Sequence, residues 1–155
     1  LSSLSFIEVS MKISTKGRYA LRIMIDLAEN SAEKNVSIRE ISERQGVSEK
    51  YLEGIVAKLN QARLVKSVRG KYGGYRLTRK TTEYSILDIL TATEETMSVV
   101  ACLEEGTYCD RASICRTVGF WAGLQNHVHD YLRRVTLEDV MDGTYEVLPE
   151  NQKEH

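Results

Sequence analysis

Three cysteines in the C-terminal half are the residues best suited to metal or redox chemistry. Cys102, Cys109 and Cys115 follow a C-x6-C-x5-C spacing in an acidic segment that also contains Gly106. Structural zinc sites usually include a closer C-x2–4-C pair, which is absent here. Wider spacing on a loop suits an iron–sulfur cluster, which generally takes four protein ligands. A thiol–disulfide switch, a zinc site and chemically inert cysteines remain alternatives.

Three cysteines supply only three ligands, so a cluster would need a fourth from elsewhere in the chain or from a partner subunit. An acidic loop is expected to raise the pKa of its thiols, which argues against Cys/His catalysis. The sequence contains no nucleophile elbow, phosphate loop or H-E-x-x-H motif, so we expect no enzymatic activity. The candidate fourth ligands are Glu104, Glu105, Asp110, His127 and His129.

Positive charge is concentrated in the N-terminal half of the chain. Residues 11–80 contain 16 Lys/Arg and 7 Asp/Glu, a net charge of +9, and the remaining residues contain 5 and 15. The overall net charge of −1 therefore conceals a basic half, and such clustering is typical of nucleic-acid-binding proteins. Double-stranded DNA is favoured over RNA, because the deep, narrow major groove of RNA cannot receive a reading helix.

The basic half carries the pattern of a helix–turn–helix. A first helix is predicted from about Thr15–Glu29, where apolar residues recur every three or four positions. Ser37 and Glu40 form a capping box that opens a short second helix. Gly46 ends that helix and Ser48 caps a third, because Gly tolerates a left-handed C-cap and Ser accepts from free backbone amides. Two helices joined by such a turn place the second one in the major groove.

A β-hairpin is predicted after the third helix, from about Leu64–Leu77, because short alternating segments surround a glycine cluster. Lys50 and Tyr51, near the start of the third helix, are predicted to reach base edges or phosphates. Arg69 and Lys71 lie on the hairpin, and an Arg in this position can enter a minor groove. The two tyrosines of the hairpin, Tyr72 and Tyr75, are interpreted as packing residues of this wing, with base stacking as the alternative.

A long helix is predicted from near Thr117, with an apolar seam that steps by three and four positions over two heptads. The seam could be the core face of a domain helix. However, the DNA-binding half already has three apolar stripes to pack, so we expect the long helix to pair with a second copy in a homodimer. The seam residues are Trp121, Leu124, Val128, Tyr131 and Val135.

The sequence therefore predicts a mainly α protein: a winged helix–turn–helix with a small β-hairpin wing and a long C-terminal dimerisation helix. Residues 1–10 are interpreted as an N-terminal extension, disordered or added by cloning, since Met11 is a more natural start. Residues 11–80 form the DNA-binding domain, residues 81–141 the cysteine-loop and dimerisation region, and residues 142–155 a flexible tail.

We expect a cytoplasmic protein without membrane contact. The longest apolar runs fall short of the roughly 18 residues that a membrane helix needs, and residues 1–10 lack the features of a secretory signal. An odd number of closely spaced cysteines is a poor disulfide framework and favours a reducing compartment.

These segments resemble the IscR–NsrR–CymR family of bacterial winged helix–turn–helix transcription regulators, and most of all its iron–sulfur branch. The similarity extends from Met11 to Met141, and Trp121 resembles part of the family's dimerisation helix. The motifs that carry the resemblance are Met11–Ala20, Ile41–Ser48, Tyr51–Glu53 and Val68–Tyr75.

The resemblance implies a homodimeric transcription regulator, a repressor or dual regulator, that binds a double-stranded DNA operator. Residues matching Ser48, Lys50 and Tyr51 would meet the major groove, and Arg69 the minor groove. Glu53 occupies a position that tunes which class of DNA site the iron–sulfur branch accepts. A carboxylate there can accept a hydrogen bond from cytosine and repels phosphate.

The resemblance also implies a cofactor, because family members with three clustered cysteines bind an iron–sulfur cluster, usually 2Fe–2S in this branch. Cys102, Cys109 and Cys115 would then sense cluster status, and the regulated genes would be those of iron–sulfur cluster biogenesis. Two departures leave the fourth ligand open: the first cysteine interval is one residue longer than usual, and Val118 replaces the branch's histidine ligand. The alternative is a cysteine-metabolism, redox-responsive or nitric-oxide-responsive regulator, controlled by a protein partner or by thiol oxidation.

Overall fold

The computed structural model describes residues 12–145, which form six α-helices and one two-stranded sheet. This architecture confirms the predicted mainly α winged helix–turn–helix with a small hairpin and a long C-terminal helix. The predicted N-terminal extension and residues 146–155 of the predicted tail lie outside the described residues. The elements are α1 (Thr15–Asn30), α2 (Ile38–Gln45), α3 (Glu49–Gln61), β1 (Val65–Val68), β2 (Gly74–Leu77), α4 (Ile86–Thr93), α5 (Val118–Arg134) and α6 (Leu137–Asp142).

A single hydrophobic core joins α1 to the helix–turn–helix and to α4. The predicted apolar stripe of α1 is confirmed, since Ala20, Ile23, Met24 and Leu27 are all fully buried. Apolar residues at this spacing lie on one face of a helix, so their burial fixes α1 at the centre of the domain. The residues that α2, α3 and α4 add to the core are Ile41, Leu52, Ile55, Val56, Leu59, Ile86, Ile89 and Leu90.

The helix–turn–helix is delimited by the caps that the sequence predicts. The hydroxyl of Ser37 accepts from the amide of Glu40 (3.2 Å), and a Glu40 carboxylate oxygen accepts from the amide of Ser37 (2.8 Å). Gly46 ends α2 in the left-handed conformation, with φ of 66°. Residues with a Cβ adopt this conformation at a higher free-energy cost than glycine does. The hydroxyl of Ser48 then accepts from the amide of Tyr51 (3.3 Å) and starts α3.

The wing is an antiparallel hairpin in which Val65 pairs with Leu77 and Val68 pairs with Gly74. A third segment joins it, because Val36 and Tyr75 exchange backbone hydrogen bonds of 2.9 and 2.7 Å. Gly74 permits this approach: a Cβ on it would lie 2.6 Å from the backbone of Val36. The wing is therefore held against the connection between α1 and α2, which fixes its position relative to the helix–turn–helix.

A buried tyrosine closes the base of the wing. The hydroxyl of Tyr84 donates to the carbonyl of Leu64 (2.8 Å) and accepts from the amides of Thr78 (2.9 Å) and Arg79 (3.0 Å). Tyr84 is fully buried, and buried polar groups are normally paired in this way. One side chain thus joins the connection between α3 and β1 to the segment that follows β2.

The long helix α5 contains no fully buried residue within one chain. One side packs near α4 and the preceding loop, where Gln125 Oε1 accepts from the amide of Val99 (3.1 Å). Along the predicted seam Val135 packs against the core, whereas Tyr131 is exposed. Phe120, beside Trp121, is 66% exposed. Part of the apolar surface of α5 is therefore left uncovered by the described residues.

The short helix α6 extends slightly beyond the boundary predicted for the flexible tail. Thr136 and Asp139 form a reciprocal capping box at its start. Gly143 caps its end, and Thr144 Oγ1 donates to Asp139 Oδ1 (3.0 Å). No helix within residues 12–145 is long and apolar enough to cross a membrane.

Candidate nucleic-acid interface and cysteine loop

The face of α3 that the core leaves free carries most of the predicted major-groove residues. Ser48, Lys50 and Glu53 are all exposed, and the space beside Gly54 is open. Core packing uses the opposite face, through the apolar residues of α3 already described. A polar exposed face at the start of the second helix of a helix–turn–helix is the part that meets base edges and phosphates.

Tyr51 differs from its neighbours in that it is half-buried. Its ring contacts the ring of Tyr19 on α1 edge to face, with centroids 5.7 Å apart. The guanidinium of Arg22 lies over the ring of Tyr19, 4.8 Å from its centroid. Aromatic pairs of this geometry are stabilising beyond their buried area. Tyr51 therefore holds α3 against α1, in addition to any contact with DNA.

A buried carboxylate, which the sequence reading missed, connects α1 to the turn of the helix–turn–helix. Asp26 Oδ1 accepts from Arg44 Nη2 (2.7 Å), and Asp26 Oδ2 accepts from Arg44 Nε (3.0 Å) and from Gln45 Nε2 (2.9 Å). The Asp26 side chain is only 2% exposed. Its hydrogen bond raises the pKa of Arg44. The signal was available: Asp26 lies three residues after Ile23 on the buried stripe, where an acid requires a partner.

The wing presents its basic residues to solvent beside α3. Arg69 and Lys71 are exposed, and Tyr72 is 81% exposed with Lys71 Nζ 5.5 Å from its ring centroid. Tyr72 therefore does not pack the wing as expected, whereas Tyr75 packs against the core. Asn35 Nδ2 donates to the carbonyl of Tyr72 (3.0 Å) and fixes the wing tip.

The three cysteines lie on one solvent-facing segment between α4 and α5. Cys102 and Cys109 are exposed and Cys115 is half-buried. Within residues 12–145, no group of three or more His, Cys, Asp or Glu side chains is arranged to hold a metal ion. The donor chemistry suits an iron–sulfur cluster, but the segment would have to rearrange to gather the thiols.

The electrostatics of Cys115 differ from the sequence-based expectation of raised thiol pKa values. The side chain of Thr117 lies 3.4 Å from Cys115 Sγ, and its hydrogen bond is the largest cause of a lowered pKa. The backbone amides of Thr117 and Val118, and the charge of Arg111, act in the same direction. The expectation was wrong for this thiol, because hydrogen bonds from Thr117 and Val118 favour the thiolate and outweigh the opposing effect of desolvation.

Of the candidate fourth ligands, His129 already has a structural role. Its Nε2 atom lies 2.7 Å from the carbonyl of Met97, which joins α5 to the segment after α4. His127, two residues earlier in α5 and therefore on a different face, is exposed, and it lines a polar surface depression with Asp130. The described structure therefore does not single out a fourth ligand.

Comparison with known proteins relates the whole described fold to transcription regulators. The IscR regulator of Vibrio vulnificus (strain YJ016) is 40% identical over 131 residues, which cover 84% of this chain and 77% of that protein. The solved structure of CymR, described as the global cysteine regulator of B. subtilis, is 38% identical and covers 86% of this chain and 98% of its own, with a TM-score of 0.69. The solved structure of T. potens IscR is 36% identical and covers 87% of this chain and 89% of its own, with a TM-score of 0.67.

The chain also matches the model of a protein family, and this match agrees with the expectation that the chain is a regulator and not an enzyme. Residues 13–143 match the profile of the Rrf2 family, described as an iron-dependent transcriptional regulator. This range includes the helix–turn–helix, the wing, the cysteine segment and α5. The chain therefore belongs to the Rrf2 family of DNA-binding transcription regulators.

Proposed function

We propose that the protein is a dimeric, sequence-specific regulator of the cytoplasm, a repressor or dual regulator, that reads an operator with α3 and the wing. The observation that carries this proposal is the joint exposure of Lys50 on α3 and Arg69 on the wing within a half of net charge +9. Such a basic face is the electrostatic footprint of a duplex-binding protein.

Different residues of this face have different roles in the proposal. Lys50 contacts a phosphate or a base edge in the major groove, and Arg69 enters the adjacent minor groove. Glu53 selects sequence, because its carboxylate accepts from cytosine and disfavours sites that bring phosphate near it. Ser48 and Lys71 contact the backbone on either side, and Tyr51 adds a contact while it packs on Tyr19.

The proposed dimer uses the apolar surface of α5 that a single chain leaves uncovered. Phe120 and Tyr131 are exposed on this helix, and no residue of it is fully buried within one chain. A two-fold pair would present two α3 helices to half-sites about 34–36 Å apart, one turn of DNA. This geometry predicts a pseudo-palindromic operator.

We propose that Cys102, Cys109 and Cys115 hold an iron–sulfur cluster, 2Fe–2S in type, with a fourth ligand that the described residues leave open. Thiolates are the ligands that such clusters require, and the lowered pKa of Cys115 favours the thiolate form. A bound cluster would make the conformation of the cysteine segment depend on iron and redox status. The regulated genes in this proposal are those of iron–sulfur cluster biogenesis.

A second candidate is control by thiol oxidation or by a protein partner, in a cysteine-metabolism, redox-responsive or nitric-oxide-responsive regulator. Two observations favour it: Cys102 and Cys109 are exposed and, within residues 12–145, the three thiols do not form a metal-binding group, and the CymR structure is similar over most of the chain.

Two experiments test these proposals separately. Protein purified under anaerobic conditions is analysed for iron and sulfide and for visible absorption, beside a variant with all three cysteines changed to serine. The cluster proposal predicts iron, sulfide and colour in the wild type alone. A colourless wild type without iron, which binds DNA differently before and after thiol oxidation, would favour the second candidate.

The DNA proposal is tested with Arg69→Ala and the matched control Arg116→Ala, which removes an exposed arginine far along the chain from the wing. Loss of a groove-inserted arginine should weaken binding to a selected duplex by about 1–3 kcal/mol, which is about 5- to 150-fold. The control should bind as the wild type does. Equal affinities of both variants would contradict the wing assignment.

A further inference from the structure

The residue that ends α4 reaches back to the start of α1. Glu94 is the C-cap of α4, and its Oε1 atom accepts from the backbone amide of Ser14 (2.9 Å) and from the Ser14 hydroxyl (2.8 Å). Ser14 is the N-cap of α1, where its own hydroxyl accepts from the amide of Gly17 (3.2 Å). A carboxylate suits this position, because the first amides of a helix lack partners and its dipole favours negative charge.

Gly17 makes room for the carboxylate. A Cβ at Gly17 would lie 2.1 Å from Glu94 Oε1 and 2.9 Å from Ile13 Cγ2. The obstructing atom is the free end of a flexible side chain, so an alanine there would displace the carboxylate of Glu94 and leave the backbone in place. The contact between Glu94 and Ser14 thus depends on a small residue on the facing turn of α1.

The same helix holds the turn that orients α3. Besides the ring contact between Tyr19 and Tyr51, Arg22 donates to the side chain and the carbonyl of Gln45 (both 2.9 Å) at the end of α2. The buried pair of Asp26 with Arg44 adds a third connection, further along α1. A displacement of α1 therefore changes the position of α2 and α3.

Glu94 is also the first residue of the segment that carries the cysteines. A cavity of about 650 Å³ lies between this segment and the helix–turn–helix. Tyr51 and Lys58 of α3 line one side of it, and Ser98 and Glu104 of the cysteine segment line another. At the lining of this open space, Glu94 and Ser14 provide a direct hydrogen-bonded connection between the start of the cysteine segment and the start of α1.

We propose that Glu94 is a positioning residue that transmits the conformation of the cysteine segment, through Ser14 and α1, to the DNA-reading helix α3. This inference rests on the proposed DNA-binding function and adds the route of communication to it. When the segment rearranges, the carboxylate leaves Ser14, and α1 loses the anchor that holds its first turn. Coupling of this kind is reciprocal, so DNA binding must also alter the cysteine segment.

The first test measures this reciprocity in the reduced, metal-free full chain. The rate at which iodoacetamide alkylates the cysteines is measured with and without a duplex that the protein binds. The duplex should change the rate in the wild type by about 5-fold or more, and in Glu94→Ala by less than about 2-fold. The control Glu95→Ala, which removes an exposed neighbour, should respond as the wild type does. An equal response in both variants would overturn the inference.

The second test needs no DNA and separates this inference from the proposed function. Amide hydrogen exchange in Glu94→Ala should quicken at Ser14 and Gly17 and also at Tyr51 and Leu52 in the first turn of α3. Faster exchange confined to α1 would overturn the inference even if DNA binding were intact. A folded wild type that binds no duplex would instead refute the proposed function, and the exchange result would still decide the route.

If Glu94→Ala fails to fold by circular dichroism, Gly17→Ala serves in both tests. It keeps the Glu94 charge and raises the helix propensity of α1, yet it displaces the carboxylate. We expect the same loss of response to DNA. A Gly17→Ala protein with wild-type response and wild-type exchange in α3 would overturn the inference.

Discussion

Replacing Tyr84 with phenylalanine removes one oxygen atom from the base of the wing and leaves the packing of the ring unchanged. That oxygen has three backbone partners, at 2.8 to 3.0 Å. Without it, the amides of Thr78 and Arg79 lose an acceptor. The carbonyl of Leu64 keeps only the hydroxyl of Thr78, at 3.3 Å.

The expected cost follows from these three groups. A buried polar group left without a partner costs about 1–3 kcal/mol. Thr78 and Arg79 are exposed residues, so water replaces part of what their amides lose. We therefore expect Tyr84→Phe to lower the free energy of unfolding by about 2–3 kcal/mol. In a chain of 155 residues, each kcal/mol lowers Tm by about 2–4 °C, so Tm should fall by about 4–12 °C.

Thermal unfolding followed by circular dichroism, at one fixed protomer concentration, measures this change. The matched control is Tyr108→Phe, since Tyr108 is 88% exposed and its hydroxyl contacts water; its Tm should stay within about 1–2 °C of the wild type. Operator affinity should also fall in Tyr84→Phe, because the wing is less firmly placed beside α3. Equal Tm values for the two variants would refute the reasoning about the wing base.

Two further predictions concern the helix–turn–helix. Hydrogen bonds from the side chain of Lys34 and then from the amide of Ser37 lower the pKa of Glu40 from 4.5 to about 2. The ionised Glu40 carboxylate therefore contributes stability that is present above pH 4.5 and is lost as the pH falls toward 2. Glu40→Gln should therefore melt below the wild type at pH 7 and approach it near pH 2; parallel Tm curves across this range would contradict the assignment. Asp26→Ala should lower the free energy of unfolding, measured by urea denaturation, by about 2–4 kcal/mol, because it leaves Arg44 without its carboxylate partner. If the losses of the Asp26→Ala and Arg44→Ala variants simply add up in the double variant, the two residues do not interact.

Local patterns in the sequence predicted those parts of the fold that depend on neighbouring residues. The capping box of Ser37 and Glu40, the left-handed Gly46 and the buried stripe of α1 each depend on residues a few positions apart. The exposure of Lys50 follows from the helical periodicity of α3, and that of Arg69 from its position beside the glycine cluster of the wing. Their contacts with DNA stay a prediction.

The parts that were missed depend on residues distant in sequence. Tyr84 reads as an ordinary residue between the wing and α4, and only the fold brings its hydroxyl to Leu64, 20 positions earlier. Glu94 and Ser14 are 80 positions apart. Tyr72 was expected to pack because aromatic residues usually do, but five residues connect β1 to β2 and carry its ring into solvent.

The arrangement of the cysteines was beyond local reasoning for a different reason. Spacing identifies Cys102, Cys109 and Cys115 as neighbours in the chain, but it does not fix the distances between thiols on a segment with little regular structure. Hydrogen bonds from Thr117 to Cys115 likewise depend on the local backbone at the start of α5, which charge counting ignores.

The most direct test of the central claim is fluorescence anisotropy of a duplex that the protein has itself selected from a random library, measured across salt concentrations. The wild type should bind, and the logarithm of its affinity should fall linearly with the logarithm of salt concentration, with a slope near −0.9 per neutralised phosphate. The Lys50→Ala/Arg69→Ala variant should bind more weakly and with a shallower slope, by about one for each phosphate that the two substitutions leave without its cation. A folded double variant with the affinity and slope of the wild type would contradict the claim that α3 and the wing form the DNA-binding surface.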